Sequence, residues 1–375
     1  MQFAAIPGHD GFKKLLLRTA STKKVAHAQL FSGPVGAPTL AFALAFATYL
    51  NCIDPTSDDA CGRCLSCTSM QQLTHPDLQL VFPSKSSVSN KTAAASFDVK
   101  AIALFRERLQ KNPFMTLEEW ARMSDYDSKQ SQITRNEATK IIQRLSLKAV
   151  VGPYKVVIIW LPECLNPAAA NALLKTLEEP SAATVFLLAS VDSQKILPTI
   201  RSRTQQHQVA LFAEAAIQQL LRDRYVAIPD SRLAEIAFLA QGDVSKAFQL
   251  AEEGEGNHFE WFSQWMRNCY KANYVALMAE SETFHQRSMD GQKMALTYAL
   301  QLLRMTLLSK FHPPLAVASP MEVAFSQKFG LTVTFAQLKQ MIALLGSAYA
   351  ALARNGNGKM VYLHTSIQAA GVFKD

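Results

Sequence analysis

A chain of 375 residues is long enough for two or three domains with sizeable cores. At 49% hydrophobic and 18% charged it has the composition of a globular protein rather than a disordered or fibrous one. Its formal charge of +8 suits a polyanionic partner, although a solubilising surface explains it equally well.

Residues 1–14 hold no apolar signal core, so the expected location is cytoplasmic. The stretch 26–53 has no Asp, Glu, Lys or Arg, yet Gly33, Pro34, Gly36 and Pro38 interrupt it. A membrane span needs about 20 continuous apolar residues. The expectation is instead a buried strand at 28–31, a loop, and a helix over 39–50, with no membrane partner. Cys52, Cys61, Cys64 and Cys67 follow, then a strand at 78–82. Residues 83–97 are rich in Ser and Ala and read as a mobile loop, and 83–132 as a whole looks inserted. Helical periodicity returns at 99–109 and 133–147.

The run 154–160 (YKVVIIW) has the near-continuous apolar character of a central parallel strand. Asn166 then caps a helix with Pro167 at its first position, and Pro180 ends it. Further strands are predicted at 184–189 and 205–209. Strands alternating with helices indicate a parallel α/β sheet. Beyond 210 the strands stop. Short helices with a break at Gln241-Gly242-Asp243 fill 211–255, and long amphipathic helices fill 256–375.

The loop 33–40 lies between a strand and a helix, where a phosphate-binding loop G-x-x-x-x-G-K-[ST] would sit. Gly33 fills the first position and Gly36 lies inside the loop, but Pro38 replaces the second glycine, Thr39 the lysine and Leu40 the hydroxyl residue. Pro38 has no N–H for a phosphate, Thr39 no positive charge, and Leu40 no oxygen for magnesium. The strand that should end in a metal-holding acid ends in Trp160 and Leu161. No ATP is expected at this site.

Four thiolates spaced C-x8-C-x2-C-x2-C suit a closed tetrahedral structural zinc site at Cys52, Cys61, Cys64 and Cys67. His75 reads as a packing or capping residue, and Cys164 and Cys269 as buried thiols. Lys140, Arg144 and Lys148 repeat every four residues and share one helix face, a candidate for phosphate contacts with DNA. Lys85 and Lys91 are weaker candidates.

The segments 166–180 (NPAAANALLKTLEEP) and 197–203 (LPTIRSR), with 27–31 (HAQLF) and a cysteine module ending in His75-Pro76-Asp77, resemble the bacterial clamp-loader ATPases of the AAA+ class. Within that class they are similar to the delta-prime subunits of DNA polymerase III. The resemblance is dense over 1–210 and thin beyond. It implies α/β followed by all-α: a P-loop domain with a five-stranded parallel sheet at 1–210 carrying the zinc module 52–67, a small helical lid at 211–255, and a helical collar at 256–375 that joins a hetero-oligomeric ring. It also implies tau/gamma and delta subunits, a sliding clamp and primed DNA as partners, with ATP hydrolysed by other subunits of the DNA polymerase III holoenzyme. Delta-prime subunits typically lack the loop lysine, whereas tau/gamma subunits keep it.

The family's Ser-Arg-Cys motif offers an arginine finger to a neighbour's ATP. Here it reads Ser202-Arg203-Thr204, with Arg201 the lesser candidate. The sensor arginine of the lid is missing: Ser245 stands near its place, with Lys246 beside it. Two other functions fit parts of the sequence. One is a tau/gamma-like subunit with residual nucleotide binding; the other is a zinc-containing DNA-binding scaffold outside replication.

Overall fold

The computed structural model describes residues 1–85, 91–124, 131–145, 149–252, 258–311 and 320–374. Its chain forms two compact units: Met1–Leu220 with Gln241–Phe248, and Leu221–Ala240 with Gln249–Asp375.

The first unit is built on strands β1 (Ala28–Ser32), β2 (Leu78–Val81), β3 (Ser84–Lys85), β4 (Ser131–Gln132), β5 (Lys155–Trp160), β6 (Thr184–Ser190) and β7 (Gln205–Gln208). Five of them form one sheet in the order β2-β5-β6-β1-β7, and every pairing in it is parallel. This is the five-stranded sheet expected from the sequence. Every residue of β1, β5 and β6 is buried, which is why these strands read as unbroken apolar runs. β3 and β4 form a separate antiparallel pair.

One sheet face is covered by the helices Arg135–Leu145 and Pro167–Glu178. Ala138, Ile141 and Leu145 of the first and Ala169, Ala170, Leu173 and Leu177 of the second join Leu30, Val157, Ile159, Phe186 and Leu188 in one core. Asn166 caps the second helix by accepting the Ala169 N–H at 2.8 Å, with Pro167 following. The helix Thr39–Leu50 is buried at all twelve positions. It lies within the core rather than on it, which explains its lack of charge.

Part of the stretch 83–97 differs from the sequence reading, while its residues 86–90 lie outside the described residues. The helix expected at 99–109 runs over Lys91–Lys111 and so begins inside the supposed loop. Ala93, Ala94 and Ala95 are strong helix formers and outweigh the serines around them. A second helix, Leu117–Met123, opens with a capping box. Thr116 Oγ1 accepts the Glu119 N–H and Glu119 Oε2 accepts the Thr116 N–H.

The second unit is helical. It contains Asp230–Ala240, His258–Tyr270, Tyr274–Gln286, Met289–Ser309, Pro320–Thr332, Phe335–Ala353 and Gly358–Val372. Trp265 stacks on Tyr362 and Phe284 packs against Tyr362 at a tilt, and the polar tips of Trp265 and Tyr362 are satisfied. Trp265 Nε1 donates to Ser366 Oγ at 2.8 Å and Tyr362 OH to Glu280 Oε2 at 2.8 Å. Of the segment 211–255 expected as a middle piece, Gln241–Phe248 belongs to the α/β unit and Leu221–Ala240 to the helical one. Among the described residues no single helix is long and apolar enough to cross a membrane.

Candidate functional site

The loop after β1 keeps its glycines for packing. A Cβ on Gly33 would meet the Val209 carbonyl oxygen at 2.2 Å, and one on Gly36, at φ +90°, would meet the Asp243 side chain at 2.6 Å. Either contact excludes a side chain with no reference to phosphate. The loop also turns its N–H groups on itself: Ala37 donates to Pro34 O at 2.9 Å and Thr39 to Ala37 O at 2.8 Å. With Pro38 contributing no N–H, three of the donors a phosphate cradle would use are gone. Thr39 and Leu40 are buried, at 3% and 4% exposure, so neither reaches out of the loop.

Asp243 sits against this loop as the start of another helix, its Oδ1 accepting the Lys246 N–H at 3.2 Å. Burial pushes its carboxyl up, against the N–H groups of Lys246 and Ser245 that pull it down. At the acid-motif position, Trp160 and Leu161 are buried. The first carboxylate beyond β5 is Glu163, raised by burial and tied through Oε1 to the Val191 N–H at 3.0 Å. Ser245, expected near the place of a sensor arginine, is buried and donates to Glu119 Oε2 at 2.5 Å.

Arg203 follows the short helix Pro198–Arg201. Its guanidinium is held within the chain: Nε donates to Glu178 Oε1 at 2.5 Å and NH1 to Thr199 O at 2.8 Å. Arg203 and Glu178 remain 34% and 46% exposed, so the arginine stays accessible from solvent. Ser202 Oγ donates to Thr199 O at 3.2 Å. Arg201 points elsewhere, NH1 donating to Gln194 Oε1 at 2.9 Å. Glu178 belongs to the LEEP run, which sequence reading used only as a signature.

The four clustered cysteines converge. Their Sγ atoms lie within 4.8 Å of one another, and Cys61 and Cys67 are 3.9 Å apart. Tetrahedral Zn–S bonds of about 2.3 Å put sulfurs about 3.8 Å apart, so the set fits such an ion. Cys52, Cys61 and Cys64 sulfurs accept the N–H groups of Cys61, Cys64 and Cys67 at 3.2, 3.4 and 3.4 Å. N–H groups of Arg63 and Cys64 pull the Cys61 thiol down to about 6, whereas burial pushes Cys67 up. His75 is no part of the set: Nε2 meets Ser66 Oγ at 3.1 Å and Nδ1 accepts the Asp77 N–H at 3.1 Å.

Two acids organise this region: Asp59, which sequence reading missed, and Asp77, which it took only as the end of a signature. Asp59 accepts the Phe3 and Ala4 N–H groups at 3.0 and 2.8 Å, fastening the N-terminus to the cysteine module. Asp77 accepts three N–H groups, from Val150, Val151 and Gly152, at 2.7, 2.8 and 2.8 Å. Lys140 and Arg144 are both exposed on the helix Arg135–Leu145, opposite its buried Ala138, Ile141 and Leu145. Lys148 lies outside the described residues, as do the side chains of Lys85 and Lys91.

Residues 8–212 match the family model described as DNA polymerase III, delta subunit. The chain is 29% identical over 229 residues to the DNA polymerase III subunit delta' of Pseudomonas aeruginosa, covering 61% of this chain and 57% of that protein. It is 32% identical over 184 residues to the delta' subunit of Escherichia coli, covering 49% and 42% respectively. With the tau/gamma subunit of Haemophilus influenzae it shares 26% over 255 residues, 67% of this chain and 30% of that one. The chain therefore spans between 30% and 57% of the lengths of these relatives. Since the family model takes in more than half of its 375 residues, the chain belongs to the DNA polymerase III, delta subunit family.

Proposed function

We propose that this chain works as a delta-prime-type clamp-loader subunit that hydrolyses no ATP of its own. It presents Arg203, with Ser202 beside it, to ATP held by a neighbouring tau/gamma-type subunit, and so helps place a sliding clamp on primed DNA in the cytoplasm. The observation that carries this reading is the pair of buried replacements, Thr39 for the loop lysine and Trp160 for the metal-holding acid. Arg203 supports it as a partly exposed guanidinium held by Glu178 and Thr199. The 255-residue likeness to a tau/gamma subunit favours the rival reading of an active ATPase, but Thr39 and Trp160 oppose it.

In the same reading the four cysteines hold a structural zinc ion with no open position for water, 211–255 serves as a lid, and 256–375 forms the collar of a ring containing delta and tau/gamma subunits. Lys140 and Arg144 contribute to the DNA-facing surface. The test is a loader reconstituted from this chain, tau/gamma, delta and the clamp. Finger arginines contribute about 10³–10⁵ in rate, so R203A is expected to remove nearly all DNA-stimulated hydrolysis at the adjoining site. R203K should recover little, because an ammonium cannot reproduce the bidentate contact. Unchanged ATPase and clamp loading by R203A would defeat the assignment.

A further inference from the structure

We propose that the inserted segment acts as a built-in substitute for nucleotide, keeping Gln241–Phe248 closed on the α/β unit whether or not ATP is present. The inference rests on the reading that this chain's own site takes no ATP, and goes on to say what fills the vacated role.

In a working P-loop site the phosphates lie over the loop and the following helix N-terminus, and magnesium links them to the acid at the end of a neighbouring strand. The inserted segment touches both sides of that place. On the strand side, Phe105 and Trp120 sit at the end of β5. The Phe105 ring lies 5.4 Å from Trp160 and 3.9 Å from Phe82, Trp120 packs edge-on against both phenylalanines, and Trp120 Nε1 donates to Pro83 O at 2.8 Å. Aromatic rings thus occupy the surroundings of the missing metal-holding acid.

On the other side, Asn112 Nδ2 donates to Ser245 Oγ at 3.1 Å and Ser245 Oγ donates to Glu119 Oε2 at 2.5 Å. Phe114 lies edge-on to Phe212 at 5.4 Å and packs on Phe248 at 6.4 Å. Phe212 meets His9, and His9 meets Phe42 of the helix that follows the loop. Between these anchors Asp243 presses on Gly36 of the loop itself. Asn112, Phe114, Glu119 and Trp120 therefore tie the strand end, the loop and Gln241–Phe248 together, a connection that a bound nucleotide would otherwise make. Phe105, Phe114, Glu119, Trp120 and Ser245 are all buried, so the connection is packed shut and its polar groups answer one another.

Hydrogen–deuterium exchange on the full chain tests this, with wild type, F114A and S245A each measured with and without millimolar Mg–ATP. F114A opens the packing, and S245A removes one hydroxyl and both its hydrogen bonds. Each is expected to raise exchange within Gln241–Phe248 by about tenfold or more while residues 156–159 of β5 keep their protection. If F114A also loses protection in β5, S245A alone decides. Exchange in Gln241–Phe248 staying within about twofold of wild type in S245A, or in both variants, would overturn the inference. Slower exchange of the wild type around the loop on adding Mg–ATP would instead overturn the reading that the site takes no nucleotide.

Discussion

Asp77 gives the sharpest stability prediction in the molecule. Its carboxylate is 7% exposed and receives three backbone N–H groups from Val150, Val151 and Gly152, pinning the entry to β5 against the start of β2. Hydrogen bonds to a charged acceptor contribute about 1.5–3 kcal/mol each, and bonds sharing one acceptor group do not add fully. Asn at this position keeps one acceptor oxygen but turns an NH₂ donor toward backbone donors. D77N is therefore expected to cost about 2–3 kcal/mol. Over a unit of this size that lowers the melting temperature by roughly 5–10 °C. The pH dependence is fixed by sign. Burial works to raise the Asp77 carboxyl, but the N–H groups of Gly152, Val151 and Val150 outweigh it and hold the folded pKa below the ordinary value. A depressed folded pKa stabilises above the unfolded pKa of about 3.9, and that stability is lost as pH falls through the folded value. The gap between wild type and D77N should be flat from about pH 5 to 8 and should narrow only below about pH 4. Thermal unfolding across that range, with exchange of the 150–152 amides as a local probe, measures both features. A gap under about 0.5 kcal/mol at neutral pH, or one that does not narrow in acid, would refute the reasoning.

Three further outcomes follow from the sites described. Metal analysis of the purified chain should return about one zinc ion, and replacing Cys61 and Cys64 by Ser should abolish it. Residues 1–6 should then become susceptible to proteolysis, because Asp59 fastens them to the cysteine module; a zinc-free wild type would reject the assignment. Restoring the loop with P38G and T39K should not restore binding of a fluorescent ATP analogue, and should cost about 2–3 kcal/mol, since position 39 is buried and an ammonium there lacks a partner. Tight binding by that variant would count against this account of the loop. In the reconstituted loader, K140A with R144A should weaken primed-DNA binding and reduce the slope of log K against log salt by about 2. An unchanged slope would remove both residues from the DNA-facing surface.

What the sequence revealed follows from the range of the forces involved. The strands at 154–160 and 184–189 were legible because burial on both faces demands unbroken apolar runs. The helix after Asn166 was legible because a cap and a proline mark its start. The convergence of the four cysteines was legible because they lie close together in sequence, at spacings that let their sulfurs meet. The helix Leu117–Met123 was missed although Thr116 and Glu119 spell its capping box, because the segment around it lacks a strong apolar period. The partners of Arg203, Asp77 and Ser245 could not be read at all. Glu178 lies 25 residues from Arg203, Gly152 lies 75 from Asp77, and Asn112 lies 133 from Ser245. Such pairings are set by tertiary packing, which no local pattern encodes.

The contact between Arg203 and Glu178 bears directly on whether a tethered arginine can serve a neighbour. With side chains 34% and 46% exposed, the pair contributes at most about 1 kcal/mol after solvent screening. A triphosphate presents several charged oxygens, so the charge-assisted bonds it offers replace the charge-assisted bond to the carboxylate. In the proposed reading the guanidinium can therefore leave Glu178 for phosphate at small cost. An arginine side chain carries about 2 kcal/mol of rotamer entropy, and part of it is already lost while Glu178 and Thr199 hold the group in place. If Arg203 acts as proposed, Glu178 thus lowers the entropy still to be lost on reaching the phosphate. Being half exposed, it returns to water when the arginine departs, so no buried charge is stranded. Opposed by a buried carboxylate, the same arginine would be locked; opposed by none, it would be unordered. A weak, solvent-facing partner is the arrangement that keeps it both placed and transferable.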